Sequence, residues 1–137
     1  MKASLFYRIA AVLLLLFAVG HTLGFRQTDP AWGADSLVSL MRSIQIPLQG
    51  FNRTYWDLFS GLGFFNTFFL LFAAVLAWQL GALPRDVLSR LRGTAWAFAI
   101  CFAAITAMSF RFLFTAPIVF CGLITLCLVA GAWLSAP

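Results

Sequence analysis

Residues 12–26 read VLLLLFAVGHTLGFR, an apolar run that ends in the single histidine of the chain, His21, and then in Arg26. The run belongs to a longer apolar stretch over about residues 5–25, and Arg8 lies close enough to its start to reach water. A helix needs about 20 apolar residues to cross a hydrocarbon core of about 30 Å. This stretch therefore predicts a membrane-spanning helix with a histidine near one end.

Three further stretches of the same kind follow, at about residues 55–83, 95–112 and 116–134. They are rich in Leu, Phe and Ala, and none shows the alternation of a barrel strand. The 137-residue chain is 63% hydrophobic and 9% charged, whereas a soluble domain has roughly a quarter of its residues charged. We therefore expect one integral membrane domain over residues 1–137, an all-α antiparallel bundle of four transmembrane helices.

The N-terminal segment has a second interpretation. Lys2 and Arg8, the apolar stretch and the small residues from Ala18 to Gly20 also resemble a secretory signal with its cleavage site. We expect the segment to be retained as the first span. On that basis, Lys2, Arg8 and the cluster from Arg85 to Arg92 fall on one side of the membrane. The positive-inside rule then favours a multi-pass membrane protein with both termini in the cytoplasm.

The first loop would lie outside the cytoplasm and contains a predicted helix over about residues 36–46. Asp35 or Ser36 can cap its start, and Pro47 can stop it. Apolar residues recur there at helical spacing: Leu37, Leu40, Met41, Ile44 and Leu48. This short amphipathic helix could lie on the outer headgroups or fold over the bundle as a lid. Amphipathicity alone indicates an interface, which favours the first alternative.

The outer ends of the spans carry most of the polar side chains. Small residues let helices approach closely in lipid, so Gly20 and Gly24, with Gly61 and Gly63, predict a crossing that brings His21 toward Asp57. Such a pair could act as a catalytic acid/base couple. Asp57 could equally form a salt bridge with Arg111 or Arg53, and the cluster could simply lock the helix ends together. The predicted ligand-binding residues of this outer pocket are Thr22, Arg26, Arg53, Ser60 and Arg111.

Other polar residues have structural explanations. Asn66, Thr67 and Thr106 are expected to bond to backbone or to a neighbouring helix, and Asn66 lies half a helical turn away from Asp57. Asn66 could therefore contact a different helix or a second protomer. The three cysteines form no C-x-x-C pair and are expected to fill the core: Cys101, Cys121 and Cys127. One histidine without a cluster of ligands excludes an ordinary zinc site, and no metal or cofactor is predicted.

Two segments carry a resemblance: RIAAVLLLLFAVGHTLGF at residues 8–25 and YWDLFSGLGFFNTFFLLFA at residues 55–73. Together they resemble a group of small bacterial four-helix membrane proteins with a G-H-T-x-G signature, loosely similar to the DoxX-like families. His21, Thr22 and Gly24 match the signature directly, whereas Asp57 and Gly61 match in general character. The resemblance implies a four-span bundle. Some DoxX-like relatives are linked to quinone or thiol redox chemistry, but this chain lacks the cysteine pairs that thiol chemistry favours.

The expected function is that of a small membrane protein whose outer polar pocket binds a lipid, a quinone or a partner helix. One alternative is an intramembrane enzyme of the isomerase or cyclase type that acts on an isoprenoid-like lipid through His21 and Asp57. Another is a structural subunit of a membrane complex. The expected partners are membrane lipids, a quinone or isoprenoid lipid, and a homo-oligomer or larger complex. The sequence has no basic stripe interleaved with polar residues that could contact bases, so nothing indicates nucleic-acid binding. It also has no obvious inverted repeat, so nothing indicates a transporter.

Overall fold

The computed structural model describes residues 2–135, and the side chains of residues 3–135. Met1, Ala136 and Pro137 lie outside this part, as does the side chain of Lys2 on which the predicted orientation depends in part. The described chain is mostly helical. Its elements, in order, are α1 (Lys2–Gly24), a 3₁₀ turn (Pro30–Trp32), α2 (Asp35–Ser43), β1 (Gln45–Leu48), β2 (Phe51–Thr54), α3 (Tyr55–Ala82), α4 (Arg85–Arg90), α5 (Arg92–Phe112) and α6 (Thr115–Leu134).

Within residues 2–135, four helices are long and apolar enough to cross a membrane: Ala3–Gly24, Tyr55–Ala82, Arg92–Phe112 and Thr115–Leu134. They confirm the four apolar helices predicted from the sequence. The largest difference between these spans and the predicted stretches is at the start of α5, which begins at Arg92 and not near residue 95. The polar residues Arg92, Gly93 and Thr94 weaken the hydropathy signal there, but nothing in them prevents a first helical turn.

The first loop differs from its prediction. The helix α2 ends at Ser43, and residues 45–54 form an antiparallel hairpin in which Gln45 pairs with Thr54 and Leu48 pairs with Phe51. The connecting residues Gln49 and Gly50 both have positive φ, at 49° and 87°. Two-residue hairpin turns need such angles, which glycine adopts without strain. The prediction that the helix continues to residue 46 is therefore wrong.

The chain divides into two compact units, which we describe separately: residues 1–18 with 70–137, and residues 19–69. In the first unit, large side chains fill the core, and Tyr7, Leu14, Ile124 and Leu128 are completely buried. Many other apolar side chains are exposed, including Phe72, Ile100, Phe110 and Leu126. Exposed apolar surface on helices of this length is what a lipid-facing protein requires.

Hydrogen bonds and small residues join the helices of the first unit. The Ser4 hydroxyl donates to the Gly81 carbonyl, and the Tyr7 Oη lies 3.4 Å from Ser135 Oγ. A Cβ atom at Gly131 would lie only 2.8 Å from the Tyr7 ring, so this position has no room for a side chain. The start of α1 is therefore held against the last turns of α3 and α6.

The second unit contains the end of α1, the 3₁₀ turn, α2, the hairpin and the start of α3. Asp29 caps the 3₁₀ turn by accepting a hydrogen bond from the backbone N–H of Ala31 at 2.8 Å. The guanidinium of Arg42 lies 4.6 Å from the ring centre of Trp56, which links α2 to the first turn of α3. These contacts order the loop beside the polar end of α1.

Candidate functional site

His21 lies in the last turn of α1, and its imidazole contacts one face of α3. Its Nε2 lies 3.1 Å from the Gly63 carbonyl oxygen and 3.3 Å from the Asn66 side-chain amide. Gly63 and Asn66 are three residues apart on a helix, so they share a face. Asn66 bonds to a neighbouring helix, as expected, but that helix is α1, the one expected to meet Asp57, so the prediction that Asn66 faces a different helix or a second protomer is wrong.

The two contacts require opposite states of Nε2 in the neutral imidazole. The Gly63 carbonyl only accepts hydrogen bonds and needs a proton on Nε2, whereas the Asn66 atom that faces the ring is Nδ2, which donates. We assign the tautomer from the shorter contact, which places the proton on Nε2 and turns the Asn66 amide so that its oxygen faces that proton. In this tautomer, Nδ1 of His21 is an acceptor, and no residue within the described range forms a hydrogen bond with it.

One aromatic ring stacks on the imidazole and connects it to two others. The ring of Phe25 stacks on His21 with a centroid distance of 5.1 Å and an interplanar angle of 15°. Phe25 in turn meets the edge of Phe64 at 5.3 Å and lies 6.2 Å from Phe59. The guanidinium of Arg26 lies 5.9 Å from the ring centre of Phe64. The imidazole thus lies between the polar contacts of α3 and a small group of phenylalanine rings that begins at Phe25.

A second polar contact lies next to the imidazole. The hydroxyls of Thr22 and Thr67 are 3.0 Å apart, and the Thr67 hydroxyl also donates to the Gly63 carbonyl at 3.3 Å. Gly63 therefore accepts hydrogen bonds from both a histidine and a threonine side chain. The predicted bonding of Thr67 to backbone and to a neighbouring helix is confirmed.

Asp57 has a different role from the one expected. Its carboxylate accepts a hydrogen bond from the backbone N–H of Thr54 at 2.8 Å, and the Thr54 hydroxyl accepts from the N–H of Asp57 at 3.1 Å. This reciprocal pair is a capping box, which satisfies two N–H groups at a helix start. Within the described residues no hydrogen bond or ion pair joins Asp57 to His21, so the expected contact between them is not formed.

The small residues also differ from expectation. A Cβ atom at Gly20, Gly24 or Gly61 would have no heavy atom within 4 Å. The prediction that these three glycines mark the helix crossing is therefore wrong. Gly63 does mark it, because a Cβ there would lie 2.2 Å from the Phe25 ring. The aromatic side chain, and not a backbone of the neighbouring helix, occupies the space that glycine leaves.

The remaining predicted ligand residues are dispersed. The Ser60 hydroxyl is buried, without a hydrogen-bond partner among the described residues. Arg53 is exposed on β2, where it donates to the Asn52 carbonyl at 3.2 Å and lies over the ring of Phe51. Arg111 belongs to the other unit, where it lies over Phe112. Of the predicted ligand set, Thr22 bonds to Thr67 beside Gly63, and Arg26 lies over the ring of Phe64.

Comparison with known proteins assigns no family to this chain. No known family, curated protein or solved structure matches the chain. Within residues 2–135, no three His, Cys, Asp or Glu side chains are grouped so that they could hold a metal ion. The chemistry present at the site is one hydrogen-bond acceptor, one cation and several aromatic rings.

Proposed function

We propose that this protein is a membrane protein that binds a hydroxylated aromatic lipid, of the quinol class, beside His21. The observation that carries the proposal is that the imidazole contacts Gly63 and Asn66 through the same nitrogen, Nε2. In the tautomer assigned from the Gly63 contact, Nδ1 is left to accept a hydrogen bond from a ligand hydroxyl. A neutral imidazole in this tautomer would favour a quinol O–H over a quinone carbonyl, because both Nδ1 and the carbonyl are acceptors.

The aromatic side chains support the same ligand class. Phe25, Phe59 and Phe64 form a connected group, and the last two remain partly exposed. A flat ligand ring can pack against such side chains in offset or edge-to-face geometry, which adds about 0.5–1.5 kcal/mol for each aromatic pair. An isoprenoid tail would then extend along the apolar helix surface into the lipid.

The geometry supports binding better than catalysis. A general acid/base couple requires its members within hydrogen-bond reach of one substrate. The carboxylate of Asp57 instead caps its own helix and is exposed. A binding site needs only the oriented imidazole and the adjoining apolar surface, and both are compatible with the observed contacts.

The membrane arrangement forms part of the proposal. We infer an antiparallel four-helix bundle in the bacterial inner membrane, with both termini cytoplasmic and His21 near the outer surface. The contacts of Ser4 and Tyr7 with the last turns of α3 and α6 support alternating directions. We further propose that α2 is amphipathic and lies on the outer headgroups, because Leu37 and Leu40 are exposed. A DoxX-like ancestry would agree with this arrangement.

A binding measurement tests the proposal. The purified chain in neutral detergent would be titrated with a short-chain 1,4-benzoquinol, and binding followed by the quenching of tryptophan fluorescence. We expect saturable binding that His21→Ala weakens by about tenfold, as the loss of one hydrogen bond in an apolar site predicts. Asp57→Asn is the matched control, because it alters the helix cap and not the imidazole, and it should leave the affinity unchanged.

Two outcomes would contradict the proposal. If the quinol does not saturate the protein, the polar cluster only fastens α1 to α3. If Asp57→Asn weakens binding as strongly as His21→Ala while both variants stay folded, the carboxylate belongs to the site. The second outcome would favour the acid/base alternative.

A further inference from the structure

The first unit contains a cavity that is unrelated to the His21 site. It has a volume of about 290 Å³ and is lined mainly by Ser4, Leu83, Arg85, Leu88, Leu134 and Ser135. We propose that it binds the headgroup of an anionic phospholipid whose headgroup also carries hydroxyls, as in phosphatidylglycerol. Its size is at the lower end of ligand pockets, which suits a headgroup and not a whole lipid.

The phosphate would bind to Arg85. This side chain is exposed, begins α4, and is the one charged residue lining the cavity among those described. It forms no ion pair with any residue in the described part of the chain. A guanidinium stays protonated in proteins and can donate two parallel hydrogen bonds to phosphate oxygens. The cavity therefore has a cation available for a phosphodiester.

The Ser4 hydroxyl favours a headgroup with hydroxyls. Ser4 donates its proton to the Gly81 carbonyl, so its oxygen can only accept further hydrogen bonds. Ser135 is completely buried, donates to the Gly131 carbonyl and lies 3.4 Å from the Tyr7 hydroxyl, so it contributes wall and no contact to the headgroup. A phosphodiester oxygen offers no proton to the Ser4 oxygen. A glycerol headgroup does, so the chemistry favours phosphatidylglycerol over phosphatidic acid.

The leucines and nearby tryptophans place the cavity at the level of lipid headgroups. Leu83, Leu88 and Leu134 provide an apolar wall for the glycerol backbone and the first acyl carbons. Trp133 precedes Leu134 and contacts Trp96 with a ring separation of 6.5 Å. The Arg8 guanidinium, one turn after Ser4, lies 5.6 Å from the ring centre of Trp78. Tryptophans concentrate where a membrane protein meets the headgroup region.

The experiment is native mass spectrometry of the whole chain in neutral detergent with added lipids of equal acyl composition. Phosphatidylglycerol, phosphatidic acid and phosphatidylcholine would be compared. We expect phosphatidylglycerol to bind most tightly and Arg85→Gln to weaken it about tenfold, as expected for the loss of a charge-assisted contact. Arg90→Gln is the matched control, because it removes the same charge from the same helix but lies outside the cavity lining.

Each remaining outcome tests a different part of the inference. Equal losses in Arg85→Gln and Arg90→Gln would show that lipid binds through surface charge in general, and would overturn the site. Equal affinities for phosphatidic acid and phosphatidylglycerol would refute the role of the Ser4 oxygen. Displacement by millimolar inorganic phosphate would identify a free-phosphate site, whereas persistence of the bound lipid supports the headgroup. A substitution at His21 should change none of these values, so this test is independent of quinol binding.

Discussion

Gly63→Ala is the substitution that most sharply probes the contact between α1 and α3 at the site. The added Cβ would lie 2.2, 2.4 and 2.8 Å from three ring carbons of Phe25. Carbon atoms in favourable contact lie about 3.5–4.0 Å apart, so the ring would have to move by more than about 1 Å. Because Phe25 stacks on His21, this movement would also disturb the imidazole.

The magnitude follows from two opposing effects. Overpacking a filled site costs about 1–3 kcal/mol. Replacing glycine by alanine inside a helix returns about 0.8–1 kcal/mol of helix propensity. Gly61→Ala carries the same propensity gain without the clash, because no heavy atom lies within 4 Å of its Cβ. The difference between the two variants therefore isolates the overpacking, and we expect about 1–3 kcal/mol.

Reversible unfolding in mixed micelles with increasing sodium dodecyl sulfate would measure this difference, with helicity and tryptophan fluorescence as probes. On a Phe25→Ala background, Gly63→Ala should cost little or nothing, since the clashing ring is gone. Equal stability of Gly63→Ala and Gly61→Ala would refute the packing described around His21.

Three further substitutions can be measured by the same unfolding assay. Gly131→Ala should be less stable than Gly122→Ala by about 1–3 kcal/mol through overpacking, because its Cβ would lie 2.8 Å from the Tyr7 ring whereas Gly122 has free space and both gain the same helix propensity. Equal stabilities of the two variants would contradict the burial of Tyr7. Thr54→Ala should cost about 1 kcal/mol as a lost helix cap without changing quinol affinity, and a loss of affinity would mean that the cap orders the site. Arg42→Gln should lose about 0.5–1 kcal/mol of cation–π attraction to Trp56 and alter tryptophan emission, and unchanged emission would argue against that contact.

Much of the fold can be predicted from the length of the apolar stretches in the sequence. Four long apolar stretches are readily recognised, and the structure has helices at all four, with ends shifted by a few residues. The hairpin was not predicted, because the apolar residues from Leu37 to Leu48 fit a helical spacing equally well. Gln49 and Gly50 carry the signal that could have identified the turn, since a residue pair ending in glycine accommodates positive φ.

The site could be predicted only in part. His21 and Thr22 were identified because polar side chains are conspicuous at the end of an apolar helix. The partner of His21 was not, because a search for charged partners favours Asp57 over the neutral Gly63 and Asn66. The sequence does contain the correct signals. Thr54 and Asp57 have the spacing of a capping box, and Gly63, Asn66 and Thr67 share one helical face.

The glycines show why helix crossings could not be predicted from spacing alone. A pair such as Gly20 and Gly24 has the spacing of a close helix crossing, yet both positions have free space beside them. The space at Gly63 is instead filled by Phe25, a residue that follows the last turn of another helix. Spacing along one helix cannot reveal where a ring from outside that helix will lie.

The most direct test of the account is the protonation of the imidazole, and the single histidine of the chain makes it accessible. Labelling histidine with nitrogen-15 yields magnetic resonance signals from His21 alone. At a pH where the ring is neutral, we predict a proton on Nε2 and a bare Nδ1, with the Nδ1 signal moving when a benzoquinol is added and the Nε2 proton remaining in place. A proton on Nδ1, or an Nδ1 signal that the quinol leaves unmoved, would contradict the account.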